Sequence, residues 1–253
     1  MSTEELSCRV AEAGGIATVE VRGELTARSS AVTLVPVLRK LLLDRGRLLV
    51  DLRGVRAGWP AALAAFPSVL AGAGGWPLAR MVLWGAAADL ATALRVNAVT
   101  ATVPLGRDRA EALALLDRRP RRVRRATRLP AAPTAAAFAR SLIRSACDDW
   151  AVDPSGRQAA VLVGSELVSN AVVHARGTSL LTLGLDERGL RVSVRDSGPL
   201  FEAVVPAEPR LGLRVVAELS TAWGVARHDF GKSVWAMLAV DTGPAGPAAG
   251  EPS

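Results

Sequence analysis

Apolar positions along this chain switch repeatedly between a period of two and a helical period. Ile16 to Arg22 alternates and is β-branched, which predicts a strand. From Ser30 to Asp44, Val32, Val35, Leu38 and Leu42 recur at helical intervals. Arg47 to Leu52 reads as a buried strand, Pro60 to Ala71 as a helix and Arg80 to Trp84 as another strand. A helix over 86–96, a short strand over 100–104 and a helix over 107–117 complete this block. Strands separated by helices of this length need crossover connections, so the block predicts an α/β domain with a mainly parallel sheet.

A second block follows with a different grammar. Two long helices, 134–150 and 155–175, precede strands at 179–185 and 190–195 that are joined by a short turn. Residues 197–210 show no period and read as a loop. A helix over 211–221 and a closing pair of strands, 223–227 and 233–240, end the block. This order predicts helices packed on one face of a mixed sheet. The domain reading is therefore 1–117, a linker at 118–133, a second domain at 134–240 and a Gly/Pro/Ala-rich disordered tail at 241–253.

Charge changes the picture only locally. The net charge is +7, but residues 117–128 alone hold seven Arg against one Asp, leaving +1 for the rest. That run reads as a solvated linker. A phosphate or membrane-surface patch is the alternative, but no aromatic ring is interleaved for base stacking, so nucleic acid is not the expected partner. No apolar run approaches the roughly 18–20 residues of a membrane span. The first 15 residues carry no apolar signal core. Cys8 and Cys147 are far apart and lack metal-type neighbours, which fits a reduced, cytoplasmic protein.

The chemistry concentrates in the second block. In Ser165 to Ala175, Glu166 and Asn170 stand four apart and share one helix face. An Asn carbonyl oxygen suits a hard cation such as Mg²⁺, and a Glu can orient or deprotonate a nucleophile. Asp196, Ser197 and Gly198 follow a strand; a buried Asp can accept from a base amino group. Gly212 opens a helix, whose free N–H groups favour phosphate. Ser233, a small hydroxyl residue, begins the last strand.

These four segments, SELVSNAVVHA, RDSG, LGLRVV and GKSVW, resemble in order the N box, G1 box, G2 box and last strand of the GHKL ATPases. The likeness is to the anti-sigma-factor serine/threonine kinase branch, short actinobacterial ATP-binding proteins, and it covers about residues 129–240. It implies a Bergerat α/β sandwich that binds ATP and Mg²⁺. It also implies that Asn170 coordinates Mg²⁺, Glu166 is the catalytic base, Asp196 reads adenine, Gly198 and Gly212 line the nucleotide, and Ser233 sits near adenine. His174 matches a family position of structural use. Two positions depart from the pattern: Leu200 replaces a second Gly after RDSG, and Arg210 replaces the first Gly of the second glycine box. A sensor histidine kinase shares the fold, but neither His174 nor His228 is placed as a phosphoacceptor on a dimerising helix pair.

Val50 to Leu63 resembles the signature of STAS domains, the anti-sigma-factor antagonist fold. Asp51, Leu52, Gly54, Val55 and Leu63 match, while Trp59, Pro60, Ala61 and Ala62 stand where the phosphorylatable serine segment is usual. The combined resemblance implies a partner-switching regulator. It would transfer the ATP γ-phosphate to a serine of a STAS-domain antagonist protein, or sequester a sigma factor, with a homodimer of the ATPase half. The alternative is a non-catalytic scaffold, in which a degenerate ATPase and a non-phosphorylatable STAS domain both serve as binding modules.

Overall fold

A computed structural model describes residues 5–13, 15–174, 177–197, 211–228 and 231–242. The chain divides into two units, 1–123 and 124–253.

The first unit is built on five strands: β1 (Ser7–Ala13), β2 (Ile16–Leu25), β3 (Arg47–Ala57), β4 (Arg80–Trp84) and β5 (Leu105–Gly106). They lie side by side in sequence order. β1 and β2 form an antiparallel hairpin; β2, β3, β4 and β5 pair in parallel. The connections carry a single turn α1 (Ala27–Ser29), α2 (Val35–Arg45), α3 (Ala65–Gly72), α4 (Ala88–Val96), α5 (Val99–Thr102) and α6 (Arg109–Leu116). β3 reads as a continuous apolar run because both of its faces are covered. Leu48 and Val50 enter the larger core with Leu38, Leu63 and Phe66. Leu49 points the other way, into a smaller core with Val82, Trp84, Ala112 and Leu116.

Two sequence expectations change here. Residues 99–102 form a helical turn, not a strand, and the edge strand is displaced to Leu105–Gly106. A five-residue π-helical stretch, Ser30–Leu34, also resets the helical phase. The buried positions become Leu34, Leu38 and Leu42, while Val32 is exposed.

In the second unit, β6 (Val123–Leu129), β7 (Ser179–Asp186), β8 (Gly189–Asp196), β9 (Ala222–His228) and β10 (Gly231–Leu238) form a sheet in the order β6-β7-β8-β10-β9. The pairs β7–β8, β8–β10 and β10–β9 are antiparallel. Helices α7 (Ala135–Asp149) and α8 (Pro154–His174) pack against each other and onto this sheet, and α9 (Leu211–Leu219) packs on α8. One sheet face is apolar: Leu181, Leu183 and Leu185 from β7, Leu190, Val192 and Val194 from β8, and Ala236 and Leu238 from β10 are all buried. Ala139, Ile143 and Ala146 of α7, with Ala160, Val163, Leu167 and Ala171 of α8, supply the opposing layer.

The expected linker at 118–133 is corrected by β6. Val123, Arg125 and Leu129 are buried at strand spacing, so the Arg-rich run hides a strand. Arg125 Nη2 donates to Asp149 Oδ2 at 2.8 Å, and its guanidinium lies 5.7 Å from the Trp150 ring centroid. A neutralised, stacked guanidinium can enter a core that a free one cannot.

The start of α8 is tied to the chain after β10. Asp153 accepts from the Gly156 amide at 3.0 Å, the contact of a helix N-cap, and from the Asp241 amide at 2.9 Å. The Ser155 hydroxyl donates to the same carboxylate. The Ser155 bond first, then these amides, hold the Asp153 carboxyl below its ordinary value. A depressed folded pKa contributes stability that is present above the unfolded pKa and is lost as pH falls through the folded value. Asp153→Ala should therefore cost about 1 kcal/mol at neutral pH. In urea titrations, the difference from the parent protein should shrink as pH falls below that of an ordinary carboxylate.

Candidate functional site

The second unit carries the residues singled out by sequence on α8, α9 and the facing ends of β8 and β10. Glu166 and Asn170 lie one turn apart on α8, both half-buried, flanked by the buried Leu167, Val168 and Ala171. Two residues before Glu166, Gly164 removes a side chain where the helix meets α7 and β8. A Cβ there would overlap Ile143 Cδ1 and stand 3.6 Å from Val192 Cγ1. This close seating holds α8 over β8 and β10. On the neighbouring turn Arg140 Nη1 donates to Ser165 Oγ at 3.1 Å.

Glu166 reaches the first turn of α9. A Cβ built on Gly212 would overlap Glu166 Oε2 and stand 3.3 Å from its Cδ. The carboxylate thus rests on bare backbone at the end of a helix where N–H groups lack intrahelical partners and negative charge is favoured. The expectation that Gly212 lines the site acquires a steric reason: any side chain would displace Glu166.

Asp196 ends β8 and is 4 % exposed. Gly231 opens β10 at φ +108°, and a Cβ there would overlap the Asp196 carbonyl. Only glycine lets β10 begin this close to β8. The register that follows sets Lys232 across from Asp196, then Val234 from Val194 and Ala236 from Val192. Directly opposed residues of an antiparallel pair share a face, so Asp196 and Lys232 both lie on the face that α8 covers. Lys232 is itself 7 % exposed.

Ser233 therefore does not join Asp196. It falls on the other side of the sheet, where its hydroxyl lies 2.8 Å from His228 Nε2. The residue that sequence reasoning passed over is Lys232. Its only signal was parity: counted from Asp196 across the turn, it rather than Ser233 occupies the inward position. Gly198, Leu200 and Arg210 lie outside the described residues, as does the side chain of His174.

Other reactive groups are structural. Cys147 is buried, and burial first, then Asp148, pushes its thiol up to about 12. It is a packing residue, not a nucleophile. Asp51, the acidic residue of the N-terminal motif, is buried and accepts from Arg53 Nη2 at 2.7 Å and from the Arg53 amide at 3.0 Å. Burial pushes the Asp51 carboxyl up, but the Arg53 hydrogen bonds and charge outweigh it and hold the group below its ordinary value. Arg53 also stacks 4.6 Å from the Trp84 ring centroid. Residues 58–63 carry no hydroxyl, and Trp59 is exposed where the turn Pro60–Ala64 begins. Among the described residues no three His, Cys, Asp or Glu side chains form a metal-binding cluster. No helix among them is long and apolar enough to cross a membrane.

Residues 129–237 match the family model of the histidine kinase-like ATPase domain, so the second unit carries such a domain. An anti-sigma factor antagonist from Mycobacterium paratuberculosis is similar at 18 % identity and TM-score 0.39, over 44 % of this chain and 93 % of that one. The RsbU and RsbW domains of a Mycobacterium tuberculosis protein are similar at 22 % identity and TM-score 0.40, over 49 % of this chain. The match spans about a third of that second protein's length (34 %). No curated protein matches the chain.

The Glu166–Gly212 contact yields a stability test. Gly212→Val should cost about 1–3 kcal/mol by overpacking. Adding Glu166→Ala should recover most of that loss in denaturant titrations, because the obstructing carboxylate is gone.

Proposed function

We propose that residues 129–237 bind ATP with Mg²⁺ and that the protein is a partner-switching regulator. In this reading it transfers the ATP γ-phosphate to a serine of a STAS-type antagonist, or holds a sigma factor. The observation that carries the reading is the seating of Glu166 against Gly212, at the opening of α9 and one helical turn from Asn170.

The residues fit the group. Asp196, buried at the end of β8, provides a carboxylate acceptor for the amino group of adenine. Asn170 offers a carbonyl oxygen of the kind Mg²⁺ takes alongside phosphate oxygens and water. The first-turn amides of α9 favour phosphate. Magnesium, when bound, neutralises the charge that develops between the β- and γ-phosphates.

Glu166 orients the attacking serine hydroxyl and accepts its proton. As the serine oxygen bonds to the γ-phosphorus, the bond to the β,γ-bridging oxygen breaks and ADP departs. Catalysis on this plan is positioning plus charge stabilisation.

The N-terminal unit would act as a docking or regulatory module and not as the phosphoacceptor, because residues 58–63 offer no hydroxyl. The same feature favours a second reading, a non-catalytic scaffold in which both units bind partners. A homodimer through the ATPase unit belongs to the first reading.

A fluorescent ATP analogue titrated into the full chain tests both. Binding should require Mg²⁺ and should weaken at least tenfold in Asn170→Ala, whereas Glu166→Ala should still bind nucleotide and lose phosphotransfer. Phosphotransfer that persists in Glu166→Ala would remove the proposed base. Nucleotide binding without transfer to any serine-bearing antagonist would favour the scaffold.

A further inference from the structure

The sheet of the second unit has two faces, and α7 and α8 pack on one of them. The other face is basic. On β8, Arg191 and Arg195 alternate with the buried Leu190, Val192 and Val194, so they point away from the helices, and both are exposed. On β6, Arg124 and Arg128 alternate in the same way with the buried Val123, Arg125 and Leu129, and Arg128 is exposed. Among the described residues the strands set one carboxylate on this side, Asp186 at the end of β7. The sequence places Arg124 and Arg128 in an Arg-rich run and Arg191 and Arg195 more than sixty residues later. Strand pairing gathers them on one surface, where like charges repel unless something acidic meets them.

Trp235 belongs to the same face. It stands on β10 opposite Ser193, midway between Arg191 and Arg195 along β8. Arg191 lies 4.1 Å from its ring centroid, and a Cβ on Gly224 of β9 would come 3.1 Å from its Cζ2. The flat surface on which a nucleic-acid base would stack is thus taken by Arg191, which disfavours a single strand as the occupant. A second copy of the chain fits no better, because a two-fold contact through this face would set arginines against arginines. Carboxylates are the complement that remains, and planar guanidinium groups bind them with paired hydrogen bonds. Trp and Arg are also the side chains that most often anchor protein interfaces. We propose that this open sheet face docks an acidic segment of a partner protein. Its carboxylates pair with Arg128 and Arg195, beside the fixed stack of Arg191 on Trp235. The proposal does not rest on the nucleotide reading, since the face lies on the opposite side of the sheet from Asp196 and α8.

The experiment uses the full chain without nucleotide and reads fluorescence anisotropy. The probe is a fluorescein-labelled oligoglutamate, with a labelled oligothymidylate of equal charge as the other arm. Arg128→Gln and Arg195→Gln are measured singly and together. A control pair, Arg28→Gln with Arg39→Gln, removes the same charge from exposed positions of the first unit. Thermal melting establishes that each variant is folded, and the single replacements decide if the double one is not.

The expected result is that the parent protein binds oligoglutamate and that the Arg128/Arg195 pair of replacements weakens it roughly fivefold or more. The control pair should change it by less than about twofold. Binding should also weaken as salt is raised, because exposed charge pairs are screened. Equal losses in the two pairs would reduce the effect to net charge and overturn the proposal. So would oligoglutamate affinity unchanged in the folded Arg128/Arg195 variant, or no binding to the parent protein at all. Tighter binding of oligothymidylate than of oligoglutamate, lost with the same two arginines, would make this a nucleic-acid face and overturn the acidic-protein assignment. None of these outcomes bears on whether the second unit binds ATP.

Discussion

The close seating of α8 on the antiparallel sheet is the constraint from which the candidate site follows. Burying one apolar face of five strands requires an apolar layer, and α7 and α8 provide it. At Gly164 a Cβ would overlap Ile143 Cδ1 of α7 and touch Val192 Cγ1 of β8, so glycine lets α8 sit close against both. The Asp153 carboxylate then fastens the opening of α8 to the chain beyond β10. With the helix fixed in translation and rotation, positions 166 and 170 are fixed too. Site residues carried on packed elements hold their geometry better than residues on loops.

Among the described residues, buried charge occurs in three places. Asp51 is closed by Arg53, which is itself backed by Trp84. Arg125 is closed by Asp149 and backed by Trp150. Both are self-sufficient clips, a carboxylate and a guanidinium with an aromatic wall. At the third place Asp196 and Lys232 face each other across the strand pair by register, on the covered side of the sheet. A clip that satisfies itself has nothing to offer a ligand.

The two units bear on function differently. The first has complete cores on both faces of its parallel sheet and keeps the Asp-Leu-x-Gly-Val segment at β3. What it lacks is chemical: no hydroxyl at 58–63, with Trp59 exposed instead. On the proposed reading, phosphoryl transfer acts on another molecule, and this unit decides access or partner choice. The second unit carries Glu166 and Asn170 on a helix and Asp196 at the end of a strand.

Much of this was legible in the sequence because it depends on short-range periodicity. The alternation of strands and helices, the change of grammar after the first block and the four-residue spacing of Glu166 and Asn170 need only the local geometry of a helix or strand. Four misreadings have one kind of cause. The Arg-rich run hid β6 because charge signals solvent until Asp149 and Trp150 are brought to Arg125 from 24 and 25 residues away. The edge strand moved to 105–106 because pairing with β4, not local propensity, chose those residues. The first long helix lost its phase to a π-helical turn. Lys232, not Ser233, takes the inward position because a strand's two faces differ by one residue, and parity is set by the register with β8. That register depends on Gly231 meeting the Asp196 carbonyl. The sequence by itself determined which elements form and which residue types they carry. Only the tertiary structure decided which side chains turn inward together, because facing is a property of pairing between distant segments.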